Sequence, residues 1–171
     1  QTLIVDARSL ELKWAGIAWY VDGVVNRLLQ TRQDLRIELL TQRPLPESVL
    51  AGSTNLGNIY DSFSLLRRLK PILWLKLRGA FHARRARATH FWGAAGILPW
   101  GLGMPKAVTV HDLNHRLVPE TMPRGVRLAY GMFLEKDARL ADFVFTNSEG
   151  TAKRLRDLTG ARIAGVIHPE L

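Results

Sequence analysis

Apolar positions along this chain follow two periods, and the periods alternate. Short, β-branched, apolar runs at 3–7, 36–41, 58–60, 89–92, 106–110, 143–146 and 162–167 predict strands. Between them the spacing turns helical. From Gly16 onward, Ile17, Tyr20, Val21, Val24, Val25, Leu28 and Leu29 recur at helical intervals. Residues 63–87 are helical in pattern, interrupted or begun afresh at Pro71. Residues 125–140 form another helical stretch, and Ser148 is placed to cap a helix over 151–158. Residues 8–15 and 42–53 read as loops, the second carrying two Pro and one Gly.

Strands alternating with helices from end to end call for an α/β domain in three layers, a mainly parallel sheet with helices on both faces. A chain of 171 residues can bury one sizeable core. No repeat, low-complexity segment or internal linker divides it, so residues 1–171 read as one domain. The chain stops at 168–171, just after a strand, which fits a complete domain and equally the first half of a larger enzyme. It starts without Met, almost directly in a strand, and is expected to be trimmed.

Nearly half of the residues (47%) are apolar, which argues against disorder. No apolar run reaches the roughly 20 residues of a membrane-spanning helix. The start lacks the basic-then-apolar order of a signal peptide. There is no Cys, which excludes disulfides and thiolate metal sites and fits a reducing, cytoplasmic compartment. The His residues have no tight ligand spacing, so no metal site is expected.

The net charge of +9 is unevenly placed. Between Asp61 and His111 there is no acid, while Arg67, Arg68, Lys70, Lys76, Arg78, Arg84, Arg85, Arg87 and Lys106 fall in that stretch. Such a field implies an anionic partner: lipid headgroups, phosphates or nucleic acid. On a helical wheel Leu66, Leu69, Leu73, Leu77 and Ala80 share one face, and Arg67, Arg78 and Arg85 lie opposite with Trp74 near them. Trp among cations predicts a helix lying on an anionic bilayer, peripheral on the inner face of the membrane. The competing reading is a solvated basic face with Trp74 packed under a neighbour. No nucleic-acid motif appears, and none of that partner class is expected.

Three places carry candidate chemistry. His111-Asp112 follows a buried strand directly, at the edge where parallel α/β sheets bind ligands; alternatively Asp112 caps the next segment and His111 bonds to it. Gly16 opens the first helix, where a backbone can approach an anion such as a diphosphate; alternatively it merely starts the helix. The loop before it holds no other Gly, so a dinucleotide fingerprint is absent. Ser148-Glu149 also lies after a strand at a helix start; capping alone accounts for the Ser148 hydroxyl. Phe91 and Trp92 are expected in the core, and Trp100 in a loop that lines or covers a cleft.

Together, Ile4-Val5-Asp6-Ala7-Arg8, Gly16-Ile17-Ala18-Trp19-Tyr20, Val108 through Leu113, Pro119-Glu120 and Ala141 through Glu149 resemble the amino-terminal domain of a family-4 retaining glycosyltransferase. Members usually carry a basic residue where this chain has Trp19. The resemblance implies a Rossmann-like domain, one half of a GT-B enzyme, with a donor-binding half absent from this chain. It implies that Gly16 approaches the donor diphosphate and that His111 faces the transferred sugar as the catalytic residue. Ile17, Tyr20, Asp112, Ser148 and Glu149 join them as candidate substrate contacts. The implied partners are a nucleotide-sugar and a saccharide or lipid-linked acceptor, with no further cofactor. The alternative is a non-catalytic Rossmann-like ligand-binding or regulatory domain.

Overall fold

The computed structural model of the chain describes residues 1–11, 16–63 and 65–168. Seven strands, β1 (Thr2–Asp6), β2 (Arg36–Thr41), β3 (Leu56–Tyr60), β4 (His90–Gly93), β5 (Lys106–Val110), β6 (Phe143–Thr146) and β7 (Ile163–Val166), form one sheet in the order β3-β2-β1-β4-β5-β6-β7. Every pairing is parallel. The helices are α1 (Gly16–Thr31), the single turn α2 (Glu47–Leu50), α3 (Pro71–Arg85), the single turn α4 (Asn114–Leu117), α5 (Arg124–Leu140) and α6 (Glu149–Thr159). This is a doubly wound, Rossmann-like α/β fold.

Right-handed crossovers decide which face each helix covers. From β1 the chain winds outward to β2 and β3, which sets α1 and α2 on one face. From β3 it returns past β1 and winds the other way, which sets α3, α5 and α6 on the opposite face. Two apolar clusters follow. One packs Tyr20, Val21 and Val25 of α1 on Val5, Ile37, Leu39 and Trp92. The other packs Trp74 and Leu75 of α3, Leu134 of α5 and Leu155 of α6 on Ile4, Leu40, Phe91, Val108 and Val144. Phe91 and Trp92 thus bury on opposite faces, as neighbours on a strand must. On the α1 side the sheet is covered only in part. A groove of about 360 Å³ remains beside Val24 and Leu28, floored by Ala107, Phe143 and Phe145.

The basic segment departs from its expected phase. Leu66 to Arg68 is a separate 3-10 turn, and Pro71 opens α3 at its first position. A wheel drawn through 66–85 therefore joins two elements that share no axis. In α3 the buried side is Trp74, Leu75, Lys76, Gly79, Ala80, His82 and Ala83, while Leu73 and Leu77 are exposed. Small residues let the helix sit close: a Cβ at Gly79 would lie 2.5 Å from the Pro99 Cγ. A Cβ this close to Pro99 is expected to cost about 2–3 kcal/mol through overpacking in Gly79→Ala, which outweighs the ~1 kcal/mol that Ala gains in helix propensity and leaves a net loss of about 1–2 kcal/mol. Urea denaturation measures it; an unchanged midpoint would show that α3 shifts freely away from Pro99.

Candidate functional site

With all strands parallel, their carboxyl ends share one edge. The winding reverses between β1 and β4, so connections depart there to opposite faces, the switch point at which parallel α/β sheets bind ligands. Asp6, Ala7 and Arg8 stand there at the end of β1, and Gly93 and Ala94 at the end of β4. His111 follows β5, the next strand along.

His111 is fixed from several sides. Its Nε2 lies 2.7 Å from the Ala94 carbonyl oxygen. A carbonyl only accepts, so Nε2 carries the hydrogen and Nδ1 is the acceptor of the neutral ring. Burial pushes the imidazole pKa down, against the Ala94 carbonyl and the Asp112 charge, which keeps the ring neutral near pH 7. The Tyr20 ring meets it edge-on, with centroids 4.8 Å apart and planes at 88°. Tyr20 is itself buried in the α1 cluster, so it acts beneath the imidazole rather than as an open contact surface. Burial also raises the Tyr20 phenol.

The start of α6 is tied to the same point. Ser148 caps α6 by accepting from the Thr151 N–H at 3.2 Å, the role that its position predicts. Its hydroxyl donates to Thr151 Oγ1 at 3.0 Å, and Thr151 Oγ1 donates to the His111 carbonyl at 3.2 Å. Glu149 is exposed in the first turn of α6. Asp112 is exposed and accepts from the Asn114 N–H at 2.8 Å, so it orders the turn into α4 and does not hold His111.

Gly16 is exposed, and a Cβ there would meet nothing within 4 Å. Ile17 is half-buried against the α1 cluster. Gly16, Trp19 and Tyr20 border a groove of about 720 Å³ with Asp22, Arg27 and Ile167. The first turns of α1 and His111 therefore lie together through Tyr20.

Beside this stands a buried ion pair that sequence reading overlooks. Arg8 Nε and Nη2 donate to the two oxygens of Asp6, each at 2.7 Å. Burial alone would lower the Arg8 pKa, but its pairing with Asp6 outweighs burial and holds it raised. The nearby Tyr130 phenol is raised by burial and feels the charges of Arg8, Asp6 and Asp112. Asp6 and Arg8 stand two residues apart at a strand end, a spacing that returns side chains to one side and signals a pair. Ala94 and Thr151 carry no such signal, because their proximity to His111 depends on sheet order.

The structure corrects two members of the basic segment. Trp74 is fully buried, its indole N–H donating to Asp61 at 3.2 Å, and it does not reach the surface. Lys76 is 1% exposed and paired with Asp137 through both carboxylate oxygens, at 2.7 and 2.6 Å. Each polar group goes inside because a partner satisfies it there. Arg78 donates to Asp61 at 2.9 Å, and Arg84 donates to the Gly101 carbonyl at 2.6 Å. Arg67 is half-buried, whereas Arg68, Lys70, Arg84 and Arg85 are exposed. Among the described residues no helix is long and apolar enough to cross a membrane. No cluster of His, Cys, Asp and Glu among them could hold a metal ion.

Fold and edge together define a doubly wound, Rossmann-like α/β domain with His111 at the ligand-binding edge of its sheet. Among solved structures the chain is similar to UGT73P12 of Glycyrrhiza uralensis, complexed with glycyrrhetinic acid 3-O-monoglucuronide. The TM-score is 0.52 at 12% sequence identity, over 97% of this chain and 48% of that one. The chain thus spans about half the length of the structure that it matches, and the likeness is one of fold. No protein-family model and no curated protein sequence matches the chain.

Proposed function

We propose that this chain is the acceptor-binding, amino-terminal half of a GT-B glycosyltransferase of the family-4 retaining type. It would move a sugar from a nucleotide-sugar to a saccharide or lipid-linked acceptor in glycan or cell-surface polysaccharide synthesis. A second half would hold most of the donor. The observation that carries this reading is the His111 ring, oriented by Ala94 and Tyr20 at the carboxyl edge beside the start of α1.

The chemistry follows from those parts. Retaining transfer passes through an oxocarbenium-like state while a diphosphate departs. The amino-terminal end of α1, open at Gly16, would offer backbone N–H groups and a favourable dipole to that diphosphate. His111, neutral with Nδ1 as acceptor, would orient a hydroxyl of the sugar or acceptor rather than supply a positive charge. The Ser148-Thr151 hydroxyl relay fixes the backbone on which the ring stands. The reading calls for no metal ion or cofactor beyond the nucleotide-sugar. It places the enzyme in the cytoplasm, peripheral on the inner face of the membrane.

In the full-length polypeptide, His111→Ala is expected to lower kcat on the order of a hundredfold, the scale of lost orientation, in protein that still folds by circular dichroism. The chain alone should turn over no nucleotide-sugar. Turnover assays with a donor panel decide both. An unchanged mutant rate would make His111 structural, and transfer by the isolated chain would refute the division into two halves.

A further inference from the structure

We propose that the outer stripe of α3, with the segment before it, is a docking surface for an anionic lipid bilayer. Its anchors are Leu73, Leu77, Phe81 and Phe63, not Trp74. This surface is independent of the transfer chemistry above.

Burial leaves α3 a narrow outer face. Trp74, Leu75, Lys76, Gly79, Ala80, His82 and Ala83 are all turned inward. What faces outward along the body of the helix is Leu73, Leu77 and Phe81, at 40%, 52% and 45% exposure. They stand at i, i+4 and i+8, a continuous line about 12 Å long at 1.5 Å per residue. A helix that meets only water sets charged and polar residues on that line. Phe63, 67% exposed, borders the same groove as Phe81, together with Arg78 and Arg85. Contiguous exposed apolar side chains of this size mark an interaction site.

Charge selects the occupant. Exposed Arg68 and Lys70 stand before the stripe, exposed Arg84 and Arg85 follow it, and the Arg78 guanidinium lies 4.4 Å from the Phe81 ring centroid. The segment from 62 to 110 contains no acid. The carboxylates that border the Phe63-Phe81 groove are already engaged. Asp61 is 1% exposed and holds Arg78 and Trp74, and Glu38 is paired with Arg36. Cations without an acidic partner among the described residues stand at both ends of an apolar line and match an anionic, apolar-cored layer, where the chains accept Leu and Phe while headgroups meet Arg and Lys. Ridge geometry favours a bilayer over a folded partner: the Leu73-Leu77-Phe81 line is one side chain wide, narrower than the apolar core of a protein interface, and the groove lies to its side at Phe63 and Phe81.

The test uses the 171-residue chain with sedimented vesicles of phosphatidylcholine, with and without phosphatidylglycerol, across a salt series. Wild type should bind the phosphatidylglycerol vesicles at low salt and release as salt screens the cations. Leu77→Ser with Phe81→Ser should lower the partition coefficient about tenfold or more, the scale of burying two such side chains, with the salt slope retained. Arg68→Gln with Lys70→Gln and Arg85→Gln should weaken binding and flatten the slope. All of these positions are exposed, and circular dichroism confirms the fold of each variant. Three results would overturn the proposal: wild type that ignores phosphatidylglycerol at low salt, equal binding to pure phosphatidylcholine, or indifference to the Leu77 and Phe81 changes. Mobility shifts of duplex DNA that respond to the cation variants but not to the apolar ones, without vesicle binding, would assign the cations to nucleic acid instead.

Discussion

Lys76→Met is expected to destabilise the domain by about 3–5 kcal/mol, the cost of leaving a buried charge without its partner. The Lys76 ammonium bonds both oxygens of Asp137 and lies 4.5 Å from the Phe133 ring centroid, with almost no exposure. Burial lowers the Lys76 pKa and raises that of Asp137, each opposed by the partner's charge. Met fills the volume but strands the carboxylate. In Lys76→Met/Asp137→Leu that stranded charge is gone, and the remaining loss is the acceptor for the Leu98 N–H, at 2.9 Å, worth about 1–3 kcal/mol. The double variant should therefore be more stable than the single one. Urea midpoints measure this ordering. A single variant within 1 kcal/mol of wild type, on the scale of an exposed pair, would show that water reaches Asp137.

Asp61→Asn carries a similar expected loss, about 3–4 kcal/mol, since it removes one member of a buried pair. One carboxylate accepts from the Trp74 indole at 3.2 Å and Arg78 Nε at 2.9 Å, with His82 Nε2 at 3.4 Å and the Phe63 N–H also at 3.4 Å. Asn replaces one of those acceptor oxygens with an NH₂ that donates toward donors. The pH dependence has a definite sign. Burial would raise the Asp61 pKa, but the hydrogen bonds from Arg78, Trp74 and Phe63 together hold it below the usual carboxylate range. With the folded value below the unfolded one, this stability is complete above about pH 4 and is lost as pH falls through the folded pKa. Wild type should lose midpoint on acidification over that window, and Asp61→Asn should lack that component. Parallel acid titrations of the two proteins would refute the assignment.

These two carboxylates also explain what the sequence leaves hidden. Strands such as 106–110 and the helix opening at Gly16 are written in local periodicity and turn chemistry, and so is the Ser148 cap. From those alone an α/β sheet with helices on two faces can be read. Whether Trp74 and Lys76 turn inward depends on Asp61 and Asp137, which lie 13 and 61 residues away along the chain. A wheel drawn on one segment cannot see them, and it assigns both side chains to the surface by type. Pro71 adds a phase break between Leu66-Leu69 and the helix proper. The short turns α2 and α4 are similarly silent, each being too brief to set up a period. At the site, His111 is legible because it follows a buried strand. Ala94 and Thr151 become its partners only once β4 is known to lie beside β5, and α6 beneath the same edge.

The hydroxyl chain from Ser148 through Thr151 to the His111 carbonyl makes two distant stretches of sequence mechanically one. The first turn of α6 and the backbone of His111 cannot be displaced separately without breaking a bond between them. A group seated against that turn would therefore bear on the same stretch of backbone that carries the imidazole.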